Sequence, residues 1–386
     1  MIPDGAAGRP TMVIVVGAGI IGLACAWWLQ RRGHQVLLLD PSGGGAPDPA
    51  ALHRSASRAA LGVLMADVFH RDRGRAWVLR QRSLELWRLW SDELARRGHP
   101  LPQRPGLLLL AADAAEAERL QQLAARKRAL GLPLCLWDRE RLEPLGATLP
   151  QPCLAALHSP RDGQLDPGVA LAALAADGQA RGMGVLAQKA VALEAQRSGW
   201  RLTLAEGGHA EAAWVVLATG IAAADLLSGL GADRAAGLAL EPVLGQALEL
   251  ELEAPLPPAW PGAVVWRGLN LVPRPDLEGG RRLWLGATLE PGERADPAQR
   301  ARLHTLGDGA PHWLRRARVV QHWQGLRPRP VGRPAPLLER PAPGLLLAAG
   351  HYRNGVLLAP ATAEWVAGCI EADTGPGPAG LDARRG

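Results

Sequence analysis

The chain has 386 residues, 48% hydrophobic and 21% charged, with 43 basic side chains against 37 acidic ones for a formal charge of +6. That is globular composition with room for two or three domains, and it excludes a disordered or fibrous chain. The basic excess is arginine apart from Lys127 and Lys189, and it is scattered rather than clustered with aromatics, so it predicts a solvated surface and no nucleic-acid partner.

Residues 1–11 read as a loose leader. Met12 to Leu29 is an uncharged run of 18 residues, long enough to raise the question of a membrane span. Gly17, Gly19 and Gly22 divide it, however, and it reads as a strand at 12–16, a turn, and a helix at 20–32 closed by Gly33. A strand at 35–39 ends at Asp40 and completes a β-α-β unit. No other segment could span a bilayer, so a cytoplasmic protein with no membrane partner is expected. Residues 41–58 are rich in small residues and proline and read as loop. An amphipathic helix follows, with Leu79, Leu86, Trp90 and Leu94 on one face. A strand at 107–110 leads to a helix capped by Asp113 and running to about Leu130. Asp166-Pro167, an N-cap acid before a first-turn proline, starts another helix that ends near Arg181. Strands are predicted at 185–187, 190–195, 200–205, 214–218, 246–252, 263–266, 269–273 and 282–287, with a helix at 298–306. The stretch 326–343 carries six prolines and reads as an extended loop. A buried strand at 345–348 and a helix from near Pro360 to near Ala372 close the fold.

Strands near 214–218 and 345–348 suit the sheet opened by the first β-α-β unit. The expected class is α/β (α+β overall): a Rossmann-type dinucleotide-binding domain plus a smaller domain with a mixed antiparallel sheet. The first would be built from 1–79, 157–238 and 321–371, the second from 80–156 and 239–320, with 372–386 as a disordered tail. Cys25, Cys135, Cys153 and Cys369 form no C-x-x-C pair, and no His/Cys group has zinc-ligand spacing. No metal and a reducing compartment follow.

Gly17-Ala18-Gly19-Ile20-Ile21-Gly22 fits G-x-G-x-x-G between a strand and a helix. Gly17 makes the turn, Gly19 lets backbone approach a pyrophosphate, and Gly22 lets the helix pack on the strand. The helix N-terminus offers N–H groups to phosphate. Asp40 stands at the end of the second strand, where a carboxylate accepts ribose hydroxyls and repels a 2′-phosphate. The ligand is therefore FAD or NAD rather than NADP. By composition, the run Ala56 to Leu64 reads equally as a surface loop or as a cofactor contact.

Gly325-Leu326-Arg327-Pro328 and the string from Ala349 through His351-Tyr352-Arg353-Asn354-Gly355-Val356-Leu357-Leu358-Ala359-Pro360 to Thr362 closely resemble the D-amino-acid oxidase superfamily. Among its members the glycine oxidases of thiamine biosynthesis are most similar. Ser57 to Leu64, Leu165-Asp166-Pro167, Val215 to Gly220 and Gly286-Ala287-Thr288 extend the resemblance over residues 12–371. It implies FAD at the domain interface, touching Ile20, Ile21, Asp40, Pro41, Ala56, Ser57, Leu61, Gly62, Val63 and Val191, with His351 to Leu357 around the flavin ring. Arg327 and Arg353 match the arginines that bind the substrate carboxylate. It further implies a small amino-acid substrate, molecular oxygen as acceptor, and a homo-oligomer. No cysteine falls in the flavin-ring segments, so FAD would be held non-covalently.

The chemistry agrees with this assignment. Moving a hydride from Cα to flavin N5 is the cofactor's chemistry, so the protein must clamp the carboxylate and aim the C–H bond. Arginine's planar fork suits the clamp. His351 reads as a backbone-shaping residue rather than a base, and Trp323 as either pocket or core. Three positions depart from the glycine-oxidase pattern. Asn270 stands where the family often has a substrate-touching tyrosine, Leu244 replaces a basic residue before Gly245-Gln246, and an acid after the Gly-Leu-Arg-Pro motif is missing at Val331 or Gly332. These changes leave room for a larger or more polar substrate. They also leave two rival readings: a dehydrogenase passing electrons to a quinone or carrier, and a non-catalytic flavin-binding protein.

Overall fold

The computed structural model describes residues 10–43, 55–227, 231 and 237–374. The expected leader before residue 10, the part of the 41–58 loop from 44 to 54, and the expected tail from 375 onward lie outside the described residues.

The strands Met12–Val16, Gln35–Leu39 and Trp214–Leu217 are short apolar runs without polar alternation, as strands covered on both faces require. They lie in a six-stranded sheet ordered 337–342, 345–349, 214–217, 12–16, 35–39, 184–186. Every neighbouring pair is parallel except the antiparallel edge strand Leu337–Ala342. One face packs Val13, Val15 and Leu38 against the helices Ile20–Arg31, Pro167–Ala180, Arg75–Arg96 and Gly355–Thr374. The other packs Ile14, Val16 and Leu217 against Leu193, Trp200 and Leu202 of a three-stranded antiparallel sheet.

The helix Arg75–Arg96 moves a boundary. The expected division at residue 80 cuts through it, yet Trp87 and Trp90 bury their rings among Trp27 and Trp28 of the first helix, with Trp27–Trp90 centroids 4.6 Å apart. By packing, the whole helix goes with the parallel sheet. The last helix also begins earlier than the expected Pro360. Pro360 lies inside Gly355–Thr374, where its missing N–H leaves the Val356 carbonyl without an i→i−4 donor. The Trp87 indole N–H donates to that carbonyl at 2.8 Å, and Ala361 N–H reaches Ser83 Oγ at 3.3 Å. The proline therefore costs the helix little, and the first helical turn can approach the cleft.

The second sheet has ten strands and is antiparallel except where Gln103–Ala111 runs beside Ala263–Trp266. Its longest ladder joins Leu240–Glu251 to Arg318–Pro330. The stretch expected as a loop at 326–343 is thus largely strand: the end of Arg318–Pro330 and all of Leu337–Ala342. Pro328 and Pro330 sit on an edge strand, the setting in which a missing ladder donor is tolerated. Ala155–Leu165 and Arg318–Pro330 lie wholly in this sheet, although the expected boundaries at 157 and 321 fall inside them. One sheet face buries Val264, Leu271, Leu285 and Leu248 with residues of the helices Pro297–Thr305 and His312–Arg316. The opposite face carries Leu109 and Asn270 into a cavity shared with the first sheet.

Candidate active site

A cavity of about 460 Å³ opens where the strands 12–16, 214–217 and 345–349 end. Clefts form at the carboxyl ends of such strands because the connections diverge there. The parallel-sheet side supplies Gly19 to Ile21, Gly220 and His351 to Val356. The large sheet supplies Leu109, Asn270, Ala287 and Arg327, and the connecting segment supplies Ala56, Ser57 and Leu61 to Val63.

At the glycine turn, Gly17 has φ +104°, and a Cβ there would stand 2.7 Å from the Ala218 carbonyl oxygen. A Cβ on Gly22 would overlap the Gly17 carbonyl oxygen, so strand and helix meet only because both are glycine. Gly19 caps the helix without a side-chain bond, and Ile20 N–H donates to Ser57 Oγ at 3.0 Å. Asp40 Oδ2 accepts from Ala18 N–H at 2.7 Å, and Oδ1 accepts from Ser42 N–H at 2.8 Å, so the turn and the acid are braced together. Thr219 Oγ1, on the next strand end, is buried with no hydrogen-bond partner among the described residues. An open helix N-terminus, a carboxylate at the second strand end and an unused hydroxyl fit the pyrophosphate and AMP half of FAD. The cavity continuing to residues 351–356 fits its ring half.

At the large sheet, Arg327 Nη1 donates to the carbonyls of Thr288 at 3.0 Å and Leu244 at 3.3 Å. Burial, with Arg353 nearby, pushes its pKa down to about 10, so it remains a cation at neutral pH. Behind it, Glu290, Thr288 and Gln246 form a buried network. Gln246 Nε2 donates to Glu290 Oε1 at 3.0 Å, Thr288 Oγ1 also bonds that oxygen, and Asp296 N–H donates to Glu290 Oε2 at 2.6 Å. The network fixes the carbonyl that holds Arg327. Asn270 Nδ2 donates to the Gly286 carbonyl at 3.1 Å, which leaves Oδ1 turned the other way. That oxygen is buried with no hydrogen-bond partner among the described residues. Arg353 is exposed at the rim.

His351 is 3% exposed, and its Nε2 is within 2.8 Å of Thr362 Oγ1. Burial, with the Arg75 charge, lowers its pKa to about 3, so it is neutral and occupied by a structural bond rather than poised as a base. Tyr352 has φ +53°, a conformation that non-glycine residues seldom hold, and its N–H donates to the Pro328 carbonyl at 3.1 Å. Trp323 packs edge-on against Trp284 and donates to the Ala59 carbonyl at 3.2 Å, which ties the large sheet to the cofactor-side loop.

Of the residues singled out in the sequence, Gly17, Gly22, Asp40 and Pro41 belong to the glycine turn and second strand end rather than the cavity wall. Leu357 is buried among the helices, and Val191 is 48% exposed on the outer three-stranded sheet; the structure brings neither to the cavity. Sequence reasoning gave no site role to Gly245, Thr219, Glu290, Phe69 or Arg80. Gly245 and Gln246 had a signal in the Gly-Gln motif. Arg80, on an amphipathic helix, had none.

The FAD dependent oxidoreductase family model, DAO, matches residues 12–368. The chain belongs to this family, and is therefore an FAD-dependent oxidoreductase of the fold class expected from its sequence. It is 30% identical over 366 residues to the glycine oxidase of Geobacillus kaustophilus, with 93% of this chain and 92% of that protein covered. The crystal structure of glycine oxidase from Geobacillus kaustophilus superimposes with a TM-score of 0.80 at 28% identity, over 94% of this chain and 95% of that one. The bifunctional protein ThiO/ThiG of a Nostoc species is 27% identical over 369 residues, covering 93% of this chain and 52% of that protein. No helix among the described residues is long and apolar enough to cross a membrane.

Proposed function

We propose that this protein oxidises glycine or another small amino acid, using molecular oxygen as acceptor, in the cytoplasm. The single observation that carries the reading is the pairing of Arg327 with Asn270 on one cavity. Among the described residues Arg327 is a half-buried cation whose hydrogen bonds go to carbonyls, and Asn270 Oδ1 is a buried acceptor with no donor. An α-amino acid supplies both missing partners: a carboxylate for the guanidinium and an amine N–H for the amide oxygen. Arg353 at the rim adds charge that draws the carboxylate in. Held at these two points, the Cα–H bond has a fixed direction in the cavity.

Bound FAD would supply the hydride acceptor for the Cα–H bond. The amino acid becomes an imine, which water hydrolyses to a 2-oxo acid and ammonia, and oxygen takes the two electrons and two protons as hydrogen peroxide. The four cysteines are not in the cavity wall and His351 is tied to Thr362, which supports non-covalent attachment. Similarity to glycine oxidases and to ThiO/ThiG supports supply of the imine for thiamine's thiazole. The retained arginine and acceptor favour catalysis over flavin binding alone.

Aerobic turnover of glycine with assays for glyoxylate and peroxide tests the reading. One peroxide per glyoxylate supports an oxidase. Glyoxylate without peroxide moves the electrons to a carrier, and neither product removes glycine as a substrate.

A further inference from the structure

Arg80 leaves the helix Arg75–Arg96 and enters the same cavity, 8% exposed, with its guanidinium 4.0 Å over the Phe69 ring. Its Nε and Nη1 are buried with no hydrogen-bond partner among the described residues. Among the described residues no carboxylate is within ion-pair distance. The acid it senses, Asp162, accepts instead from the N–H groups of Ala66, Asp67 and Val68 at 2.7, 2.9 and 3.0 Å. Asp67 is engaged by Gln81 and Arg161. Burial lowers the Arg80 pKa to about 10, which leaves it charged at neutral pH. A buried cation that faces a ring and lacks a hydrogen-bonded acid is destabilising, and an anion entering the cavity would relieve that cost.

The strand order sets where such an anion would lie. On one side of Asn270 come the strands 263–266 and 103–111, and there Leu109 packs with Met65 and Val68, next to Phe69. On the other side come 282–286 and 240–251, where the Leu244 carbonyl holds Arg327. Asn270 stands between the two.

We propose that Arg80 anchors a second anion subsite, and that the preferred substrates are amino acids bearing a second carboxylate. The α-carboxylate lies at Arg327, the amine at Asn270, and the distal acid at Arg80. This rests on the amino-acid oxidase reading of the same cavity.

The test uses the FAD-loaded protein and two readouts. The first is binding of succinate and glutarate against butyrate, followed by perturbation of the flavin absorption. The second is kcat/KM for aspartate and glutamate of either hand against asparagine and glutamine, with iminodiacetate against sarcosine as the N-linked arm. The subsite predicts at least about tenfold tighter binding of the diacids, and the same or larger preference in turnover. Arg80→Met should reduce both preferences to about twofold or less, with FAD content retained and Tm equal or higher, because an unpaired buried charge has gone. Arg80→Lys should restore part of the preference. Equal binding of diacids and butyrate, or a preference surviving in Arg80→Met, overturns the proposal. So does a marked fall in Tm in Arg80→Met, which would make Arg80 structural. Diacid binding with no amino acid reducing the flavin supports the subsite and removes the oxidase reading. Glycine oxidation without any diacid preference removes the subsite alone.

Discussion

Gly245 leaves the space in which the Arg327 guanidinium lies. A Cβ built on Gly245 would overlap Nη1, Nη2 and Cζ of Arg327. The two residues are diagonal neighbours across the ladder between Leu240–Glu251 and Arg318–Pro330, where Gly245 pairs with Gly325 and Arg327 with Val243. The arginine can cross over its neighbour strand to reach the Leu244 and Thr288 carbonyls because no side chain stands in the way. Gly245→Ala should therefore displace the guanidinium and lower kcat/KM for glycine by about tenfold or more, through KM, while FAD content is retained. Steady-state kinetics with a flavin-to-protein ratio checks this; wild-type kinetics in the variant would contradict it.

Arg327→Lys keeps a charge but loses the planar fork. About a 100-fold loss in kcat/KM is expected, the ~3 kcal/mol of a bidentate charge-assisted contact, and a larger loss for Arg327→Met. Equal activity of the lysine variant would mean that Arg327 acts only as a distant charge.

Asn270 lines the cavity, with its Nδ2 held by the Gly286 carbonyl and its Oδ1 left without a hydrogen-bond donor among the described residues. Asn270→Leu removes the acceptor while filling the space. A KM for glycine raised by about tenfold is expected, from one lost hydrogen bond to a charged or polar partner. If KM stays unchanged, the amine is held elsewhere.

The opening β-α-β unit, its glycines and Asp40 could be read from the sequence because each has a local signature: three glycines at G-x-G-x-x-G spacing between a strand and a helix, and an acid at a strand end. The Asp113 and Asp166 caps were legible for the same reason; each carboxylate accepts the first-turn N–H groups that its position predicts. What local pattern could not reveal was pairing at a distance. The prolines of 326–343 suggest a loop until Leu240–Glu251 is placed alongside as partner. Pro360 suggests a helix start until Trp87 satisfies the carbonyl it orphans. Arg80 reads as the solvated face of a helix until Phe69 and the cavity wall are seen beside it. Arg327 and Asn270 were legible as candidates through family resemblance, but the unused acceptor on Asn270 required three-dimensional placement.

Asp40 braces the glycine turn and presents charge where a ribose would lie. Asp40→Asn should weaken FAD binding to the apoprotein by about tenfold, read by quenching of flavin fluorescence on titration. Unaltered affinity would limit Asp40 to bracing the turn.

His351 gives a pH dependence of stability with a definite sign. Its folded pKa is lowered to about 3, while a free imidazole titrates near ~6.5. Between those values the unfolded chain binds a proton that the folded chain does not. Stability contributed by neutral His351 is therefore complete above about pH 6.5 and is lost as pH falls toward 3. Tm measured from pH 7 to pH 4.5 should fall less steeply in His351→Gln than in the wild type. Parallel curves would contradict the burial of a neutral imidazole.

The most direct measurement is the visible flavin absorption of the purified holoprotein, taken without oxygen before and after adding glycine. Bleaching is expected from the proposed hold of Arg327 and Asn270 on the substrate beside the flavin, with recovery of the band when air is readmitted. A flavin band unchanged by glycine, by other small or N-methylated amino acids and by the dicarboxylic ones would contradict it.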